Sequence, residues 1–384
     1  MVPPLAELKE SSGLSATARG AVTHRDRLLT LMLRPEGARS LSEADWTDVV
    51  ATARNANLLG KLATTLEQAG EAAPAAPQRH LTGALMLSAR QRQSVVWEAH
   101  QIDAALAPLG HPVVLLKGAA YAMSDHAAAG GRLFGDIDLL VPREAIGDVE
   151  HRLMGNGWTP IKTDAYDQRY YRQWMHEIPP LVHAQRGTVV DIHHTILPLT
   201  AKHRPDPGRI FRHARAIAGF DRLMTPAPED LIVHSLCHLA HEGEVNNLLR
   251  DLHDVACLLD EHATDPDFPA RLADAAADHD LLDPCALGLA LVARYFDRAL
   301  MRQAATSLSA RLGRPASTAL IALYDDALQP SPTGHCTATG HLARARIYLR
   351  SHRLRMPLAM LLRHLSRKAW MRMTTRPKSV PQEG

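Results

Sequence analysis

The sequence predicts an α+β protein in which a small mixed β-sheet is flanked by N-terminal helices and followed by a C-terminal α-helical domain. Apolar residues recur at helical spacing between residues 24 and 107 and again after residue 225. Between these regions lie short β-branched runs bounded by glycine or proline, a pattern typical of buried strands. Alanine and leucine dominate a composition with only 4% aromatic residues, which favours helix elsewhere.

Composition narrows the possible classes of function. The 384 residues are 46% hydrophobic, enough for about two or three packed units. The net charge of +2 gives no case for nucleic-acid binding by the whole chain. The four cysteines form no C-x-x-C pair, which argues against a zinc ribbon or a disulfide framework, so we expect reduced thiols. We find no apolar signal core and no run approaching the ~18 apolar residues of a membrane span, and therefore expect a cytoplasmic protein.

These patterns divide the chain into five predicted segments. The first is polar, and the last is rich in arginine and apolar residues, with no acidic residue between positions 341 and 378. The segments are a flexible leader at 1–22, an N-terminal helical region at 23–108, a sheet-containing core at 109–222, a helical domain at 223–335 and a basic amphipathic segment at 336–384.

Residues 113–141 form the predicted centre of the core. A strand over residues 113–116 ends at Lys117 and Gly118, a short helix follows, and a second strand runs through residues 135–141. Farther on, residues 178–182 are predicted to form a hairpin with residues 188–192, which places Asp191 beside the second strand.

Two carboxylates in the second strand give the strongest chemical signal. Asp136 and Asp138 are two residues apart, so in a strand both side chains point to the same face. Two such charges destabilise each other unless a cation or protons intervene. Hard oxygen ligands suit Mg²⁺, which also takes phosphate oxygens as ligands. Together with Asp191 they predict a metal and phosphate site, the alternative being acids on a solvated edge strand.

This order of strand, glycine turn, helix and Asp-x-Asp strand resembles the nucleotidyltransferase fold of DNA polymerase β-like enzymes. More closely, residues 80–300 resemble the bacterial uncharacterised nucleotidyltransferase family, whose members often lie beside peptide or exopolysaccharide biosynthesis genes. The motifs that carry this resemblance are LLKG, R-x-x-GDIDLLV, VVDIHH, TPAPEDLIVHSLCHLAHEG and LRDLHDVACLL.

The resemblance implies a magnesium-dependent enzyme that moves a nucleoside monophosphate from a nucleoside triphosphate to a hydroxyl acceptor. The acceptor would be a small molecule, a peptide or a protein, and ATP is the default donor by analogy. Two Mg²⁺ ions are expected on Asp136, Asp138 and Asp191, the three candidate catalytic residues, and Asp191 is also the candidate proton acceptor.

Four residues form the candidate nucleotide-binding set. Gly118 permits close approach of a phosphate to backbone N–H groups. The wider superfamily has Gly-Ser at this turn, whereas this chain has Lys117-Gly118, so Lys117 is the candidate phosphate partner. Arg132 and Gly135, just before Asp136, complete the set. The alternative is that the lysine and the arginine are ordinary surface residues.

Histidines support two further hypotheses. His193 shares the Asp191 face and would orient substrate or a metal-bound water, or else be satisfied by a carboxylate. His234, His238 and His241 share one helix face, and His253 follows with Asp254. That spacing suggests a zinc site or a His-Asp phosphohydrolase, against the alternative of buried, hydrogen-bonded histidines. A third reading is a non-catalytic nucleotide-binding or partner module, which the presence of all three acids disfavours.

Two remaining features are an aromatic patch and the basic segment. Tyr166, Tyr170, Tyr171 and Trp174 would stack a base or an acceptor ring, although a core role is favoured for most of them. The basic segment would bind an acidic partner, RNA or an anionic membrane surface, or it forms a terminal helix that packs on the core.

Overall fold

The computed structural model describes residues 23–357 and residue 360. A single seven-stranded sheet lies at its centre, with strand order β3-β4-β5-β2-β1-β7-β6. The pairs β2–β5 and β1–β7 are parallel and the other pairs antiparallel, so the mixed sheet is confirmed. The strands are β1 (Val113–Leu115), β2 (Ile137–Leu140), β3 (Trp158–Pro160), β4 (Leu181–His183), β5 (Val189–His193), β6 (Arg215–Ala216) and β7 (Leu223–Thr225).

Four helices precede the sheet, as predicted. Ser42 caps the second of them through a capping box with Asp45, which satisfies backbone N–H groups at the helix start. The fourth has 32 residues and buries Ile102 and Leu106. The helices are α1 (His24–Leu33), α2 (Glu43–Asn55), α3 (Leu59–Gln68) and α4 (Ala75–Leu106).

Helices within and after the sheet complete the described chain. Those interspersed with the strands are α5 (Lys117–Met123), α6 (Ile146–Gly155), α7 (Ala165–Trp174) and α8 (Pro207–His213). Those after the last strand are α9 (Pro228–His241), α10 (Leu248–Asp260), α11 (Phe268–Asp278), α12 (Leu282–Tyr295), α13 (Ala299–Leu312), α14 (Thr318–Ala327) and α15 (Ala338–Arg355). No helix among the described residues is both long enough and apolar enough to cross a membrane.

Two local expectations differ from the structure. The apolar spacing of residues 284–300 predicts one continuous helix, but the chain breaks between α12 and α13 at residues 296–298. The sheet also extends beyond residue 222, because Leu223 of β7 pairs with Val113 of β1. The strands β6 and β7, at the β1 end of the sheet, had not been predicted. The division of the chain into domains stays a prediction.

The described part of the basic segment packs against the protein. Helix α15 buries Ala343 and Ile347, and Arg350 donates a hydrogen bond to the Ala240 carbonyl at 2.8 Å. This favours the packed terminal helix for residues 338–355. The predictions for residues 1–22, 358–359 and 361–384 fall outside the described residues. The four cysteines are free thiols, which agrees with the expected reduced state.

A backbone contact joins the N-terminal helices to the turn that precedes Asp136. Gly60, near the start of α3, lies so close to Gly131 that a Cβ on either residue would overlap the backbone of the other. Gly131 also has a φ of 64°, a left-handed conformation that favours glycine. The contact therefore requires glycine on both sides and fixes the start of the segment that leads into β2.

We expect Gly60→Ala to lower the free energy of unfolding by about 3 kcal/mol or more, because the new methyl group would displace the Gly131 carbonyl. Gly83→Ala is the matched control. Nothing lies within 4 Å of a Cβ at Gly83 inside α4, so alanine should gain about 0.5–1 kcal/mol there. Urea unfolding measures both changes, and wild-type stability in Gly60→Ala would contradict the contact.

Candidate active site

Asp138 and Asp191 lie directly opposite each other on adjacent strands. The register of β2 and β5 pairs them, and because the strands are parallel both side chains project from the same face of the sheet. The predicted position of Asp191 beside the Asp-x-Asp strand is thus confirmed. Ligand atoms of Asp138, Asp191 and His193 all lie within 4.8 Å of one another.

Asp138 is buried, with two cationic or potentially cationic neighbours. His193 Nε2 lies 2.8 Å from its Oδ1 atom and Lys117 Nζ lies 3.4 Å from the same oxygen. Burial acts to raise the pKa of Asp138, but Lys117 and the hydrogen bond from His193 outweigh it and hold the pKa well below its usual range. Asp138 is therefore ionised at neutral pH.

The surroundings of Asp191 raise its pKa, in contrast to those of Asp138. Its Oδ1 atom is buried without a hydrogen-bond partner among the described residues. Burial, together with the negative charges of Asp138 and Glu177, raises the pKa of Asp191 to about 7. An unpartnered carboxylate oxygen beside an ionised carboxylate fits a divalent cation, so this pair of residues is suited to hold Mg²⁺.

Asp136 does not join the tight cluster. The described residues contain two groups of at least three potential metal ligands whose ligand atoms all lie within 4.8 Å of one another. Asp136 belongs to neither group. Pairing of Ile137 with Val190 begins β2, so Asp136 precedes the strand and is exposed. Asp136 instead lines a cleft that opens in front of Asp138.

A cleft of about 290 Å³ opens in front of Asp138 and is lined by all four of the predicted nucleotide-binding residues. Lys117 begins α5 with a φ of 45°, an uncommon conformation for a residue other than glycine. Burial acts to lower the pKa of Lys117, but the charges of Asp138, Asp136 and Glu177 raise it, so the side chain is cationic. The cleft is lined by Lys117, Gly118, Tyr121, Arg132, Leu133, Phe134, Gly135, Asp136, Asp138, Ser235, His238, Asn247, Arg250, Asp251 and Asp254.

Arg132 crosses directly over Gly118. A Cβ on Gly118 would lie 3.2 Å from Arg132 Nε, so glycine lets the guanidinium lie close to the start of α5. Arg132 pairs with Asp254, whose other oxygen lies 2.6 Å from Lys61 Nζ. Lys61 is only 1% exposed, and burial lowers its pKa to about 7. Arg132 is thus an anchored residue of the cleft rather than a mobile surface arginine.

Sequence reasoning missed the contribution of α10 to the cleft. Arg250 faces it and donates hydrogen bonds of 2.9 and 2.7 Å to Asp251. Arg250, Asp251 and Asp254 all belong to the motif LRDLHDVACLL. The motif was noted in the sequence, but its residues were not assigned to the cleft. His176 and Glu177 were also missed. An isolated β-bridge between Glu177 and His193 brings them against β5.

The helix histidines do not converge on a metal site within the part of the chain that the structure describes. His234 is buried and His238 lines the cleft, whereas His241 Nδ1 lies 2.8 Å from the Cys237 carbonyl and its ring packs near His203. Neither group of candidate ligands contains them. His241 thus fits the alternative of a buried, hydrogen-bonded histidine, whereas His234 is buried with its Nδ1 atom unpartnered among the described residues and His238 is only partly buried.

Residues 253 and 254 do not act as a metal-binding pair either. The His253 ring packs edge-on against Phe296 with ring centres 5.2 Å apart, and Asp254 binds Lys61 and Arg132. The role of this Asp is therefore to hold two cations of the protein.

The favoured core role for the aromatic patch is wrong. Helix α7 has no buried residue, and its aromatic rings instead contact one another, as Tyr170 and Trp174 do with ring centres 5.8 Å apart. The helical spacing was right, but α7 lies at the surface. Stacking of a base or an acceptor ring on this patch stays a prediction.

The fold and this carboxylate site define a domain of the nucleotidyltransferase type. The chain belongs to the uncharacterised nucleotidyltransferase family, whose model matches residues 42–297. No curated protein matches the sequence. Family membership supports nucleotidyl transfer in general.

We expect metal-free Asp191→Asn to be more stable than the wild type by ~1–2 kcal/mol above pH 7. The pKa of Asp191 is about 7 in the folded protein against an ordinary value of 3.8, so folding favours the protonated form. Wild-type stability therefore falls as pH rises from about 4 to about 7 and then stays level. Urea unfolding in the presence of chelator between pH 4 and pH 8 measures the difference in unfolding free energy between the variant and the wild type. An equal difference at pH 4 and pH 8 would show that the raised pKa of Asp191 is not its cause.

Proposed function

We propose that the protein is a magnesium-dependent nucleotidyltransferase that moves a nucleoside monophosphate from a nucleoside triphosphate to a hydroxyl of a small molecule, a peptide or a protein. The observation that carries this proposal is the juxtaposition of Asp138 and Asp191 beside a cleft with three basic side chains, Lys117, Arg132 and Arg250. ATP is the default donor, by analogy with related small-molecule transferases.

The carboxylates would hold the metal. Asp138 is ionised and Asp191 has an unpartnered buried oxygen, so both are suited to a divalent cation. Asp136, at the rim of the cleft, would supply a further oxygen, and two Mg²⁺ ions are proposed for this set. When bound, the ions neutralise negative charge on the transferring phosphate and on the oxygens that attack and leave.

The basic residues of the cleft would bind the triphosphate. Lys117 lies beside Asp138, which suits contact with the phosphate next to the metal-binding carboxylate. Arg132 is fixed by Asp254, and Arg250 by Asp251. Because each guanidinium is already held in place, little side-chain entropy is lost when a phosphate binds. Gly135 has open space where a Cβ would be, which permits close approach of the nucleotide, whereas at Gly118 that space is taken by the Arg132 guanidinium.

The transfer itself is an in-line displacement at phosphorus. The acceptor oxygen forms a bond to the α-phosphorus, the bond to the bridging oxygen breaks, and pyrophosphate leaves. We assign the acceptor proton to Asp191, whose buried Oδ1 atom has no hydrogen-bond partner among the described residues. His193, which contacts Asp138 through Nε2, would keep that carboxylate oriented.

Neutralising either carboxylate should abolish transfer. We expect Asp138→Asn and Asp191→Asn to lower the rate at least about 100-fold, because metal binding and proton transfer are both impaired. The assay incubates purified protein with each labelled nucleoside triphosphate, Mg²⁺ and the products of neighbouring genes, and uses mass spectrometry to detect an added nucleotide. Asp274→Asn, whose surface acid lies 3.4 Å from Arg311, is the control and should retain wild-type activity.

The same assay separates the alternatives. Magnesium-dependent nucleotide binding without release of pyrophosphate from any mixture would indicate a non-catalytic module. Full transfer by Asp138→Asn would exclude the carboxylate mechanism.

Arg250 provides a separate test of the phosphate site. We expect Arg250→Gln to raise KM for the nucleotide about tenfold with a smaller effect on kcat, because a charge partner of the phosphates is lost. Arg302→Gln is the control, since Arg302 on α13 pairs with Asp297, which precedes that helix, and 54% of the Arg302 side chain is exposed. Steady-state kinetics measures both variants. An unchanged KM in Arg250→Gln would remove this residue from the proposed site.

A further inference from the structure

A second group of potential metal ligands lies beside the carboxylate pair. It consists of His176, Glu177 and His193, whose ligand atoms all lie within 4.8 Å of one another. Glu177 Oε2 is 3.5 Å from His193 Nε2 and 3.7 Å from His176 Nε2. The two imidazoles thus direct the same type of nitrogen at one carboxylate oxygen.

The backbone holds this group firmly. Glu177 forms an antiparallel bridge with His193, and on either side Ile178 N–H bonds the Ile192 carbonyl at 3.0 Å while His194 N–H bonds the His176 carbonyl at 2.9 Å. His193 is only 2% exposed at the end of β5. His176 and Glu177 belong to one of the two bridged segments and His193 to the other. The bridge between these segments therefore brings the three ligands together.

The donor atoms favour an ion other than Mg²⁺. Two imidazoles with one carboxylate make a ligand set used for zinc and other nitrogen-binding divalent ions, whereas Mg²⁺ prefers oxygen ligands and water. Ligands about 2.1 Å from a tetrahedral ion are about 3.4 Å apart. The separations of 3.5 and 3.7 Å at Glu177 are close to that value.

We propose that His176, Glu177 and His193 form a binding site for a transition-metal ion of the zinc or cobalt type. This site is additional to the proposed magnesium site and does not depend on nucleotidyl transfer. It shares His193 with the catalytic cluster, where Nε2 contacts Asp138 at 2.8 Å. One nitrogen cannot both donate this hydrogen bond and bind a metal ion, so occupation of the site releases Asp138 from His193. The two sites are therefore coupled.

Cobalt provides a direct test, because Co²⁺ bound by imidazole in a low-coordinate site absorbs visible light. The full-length protein is stripped with chelator and titrated with Co²⁺ without nucleotide or Mg²⁺. We expect strong visible absorption that saturates at one Co²⁺ per chain, because Co²⁺ held only by carboxylate oxygens and water absorbs weakly. His176→Ala and Glu177→Gln should each weaken binding at least about tenfold, whereas His151→Ala, at an exposed histidine on α6, should change it less than about twofold.

Zinc competition against a chromophoric chelator gives a second measurement, and circular dichroism of the metal-free variants verifies folding. Glu177→Gln nearly preserves side-chain shape, so it serves if His176→Ala fails to fold. Wild-type protein without cobalt absorption, or folded Glu177→Gln with unchanged affinity, would overturn the proposal. Intact cobalt binding in a protein that never transfers a nucleotide would reject the proposed function while leaving this site in place.

Discussion

The parallel pairing of β2 with β5 is the constraint on which the site depends. It joins segments more than 50 residues apart and sets Asp138 opposite Asp191 on one face of the sheet. A slip of one residue would send Asp191 to the opposite face and replace it with an apolar neighbour. Register is strongly specified here, because Ile137, Leu139, Val190 and Ile192 are all buried. The hydrophobic core thereby determines the geometry of the carboxylates.

A second constraint is the charged network beneath the cleft. Asp254 of α10 binds Lys61 of α3 and Arg132 of the segment before β2, so three distant parts of the chain meet at one carboxylate. Burial of these charges is tolerable only because each has a partner. The network holds Arg132 at the edge of the cleft, and the neighbouring contact of Gly60 with Gly131 fixes the turn leading to it. The N-terminal helices thus contribute to the shape of the site.

Local pattern accounts for much of what was predictable. Strand alternation, glycine turns and the Ser42 cap are properties of a few adjacent residues, and the hairpin that carries Asp191 follows from them. Asp136 shows the limit of this approach. The two-residue spacing assumes that the strand includes both acids, but the start of β2 is decided by pairing with β5.

Partners from distant segments are the other limit. Lys61 is a polar residue on an amphipathic helix, and its remote partners, Asp254 and the Ala128 carbonyl, explain why it is buried. Glu177 meets His193 through a single β-bridge that has no periodic signature. The exposed position of α7 is also a matter of tertiary packing, since an aromatic stripe at helical spacing is equally compatible with a core. The residues missed by the sequence are those whose environment is decided by a remote partner.

Asp138 and Asp191 lie close enough to repel each other when both are ionised, and the fold gives the two carboxylates different surroundings. Asp138 is paired with Lys117 and His193 and stays ionised, while the Oδ1 atom of Asp191 has no hydrogen-bond partner among the described residues and the pKa of Asp191 is about 7. Two neighbouring acids whose pKa values are driven apart can hold one negative charge and one proton near neutral pH. A divalent ion that replaced this proton would neutralise both acids in the arrangement that the strand register already gives them, which supports the proposed metal site.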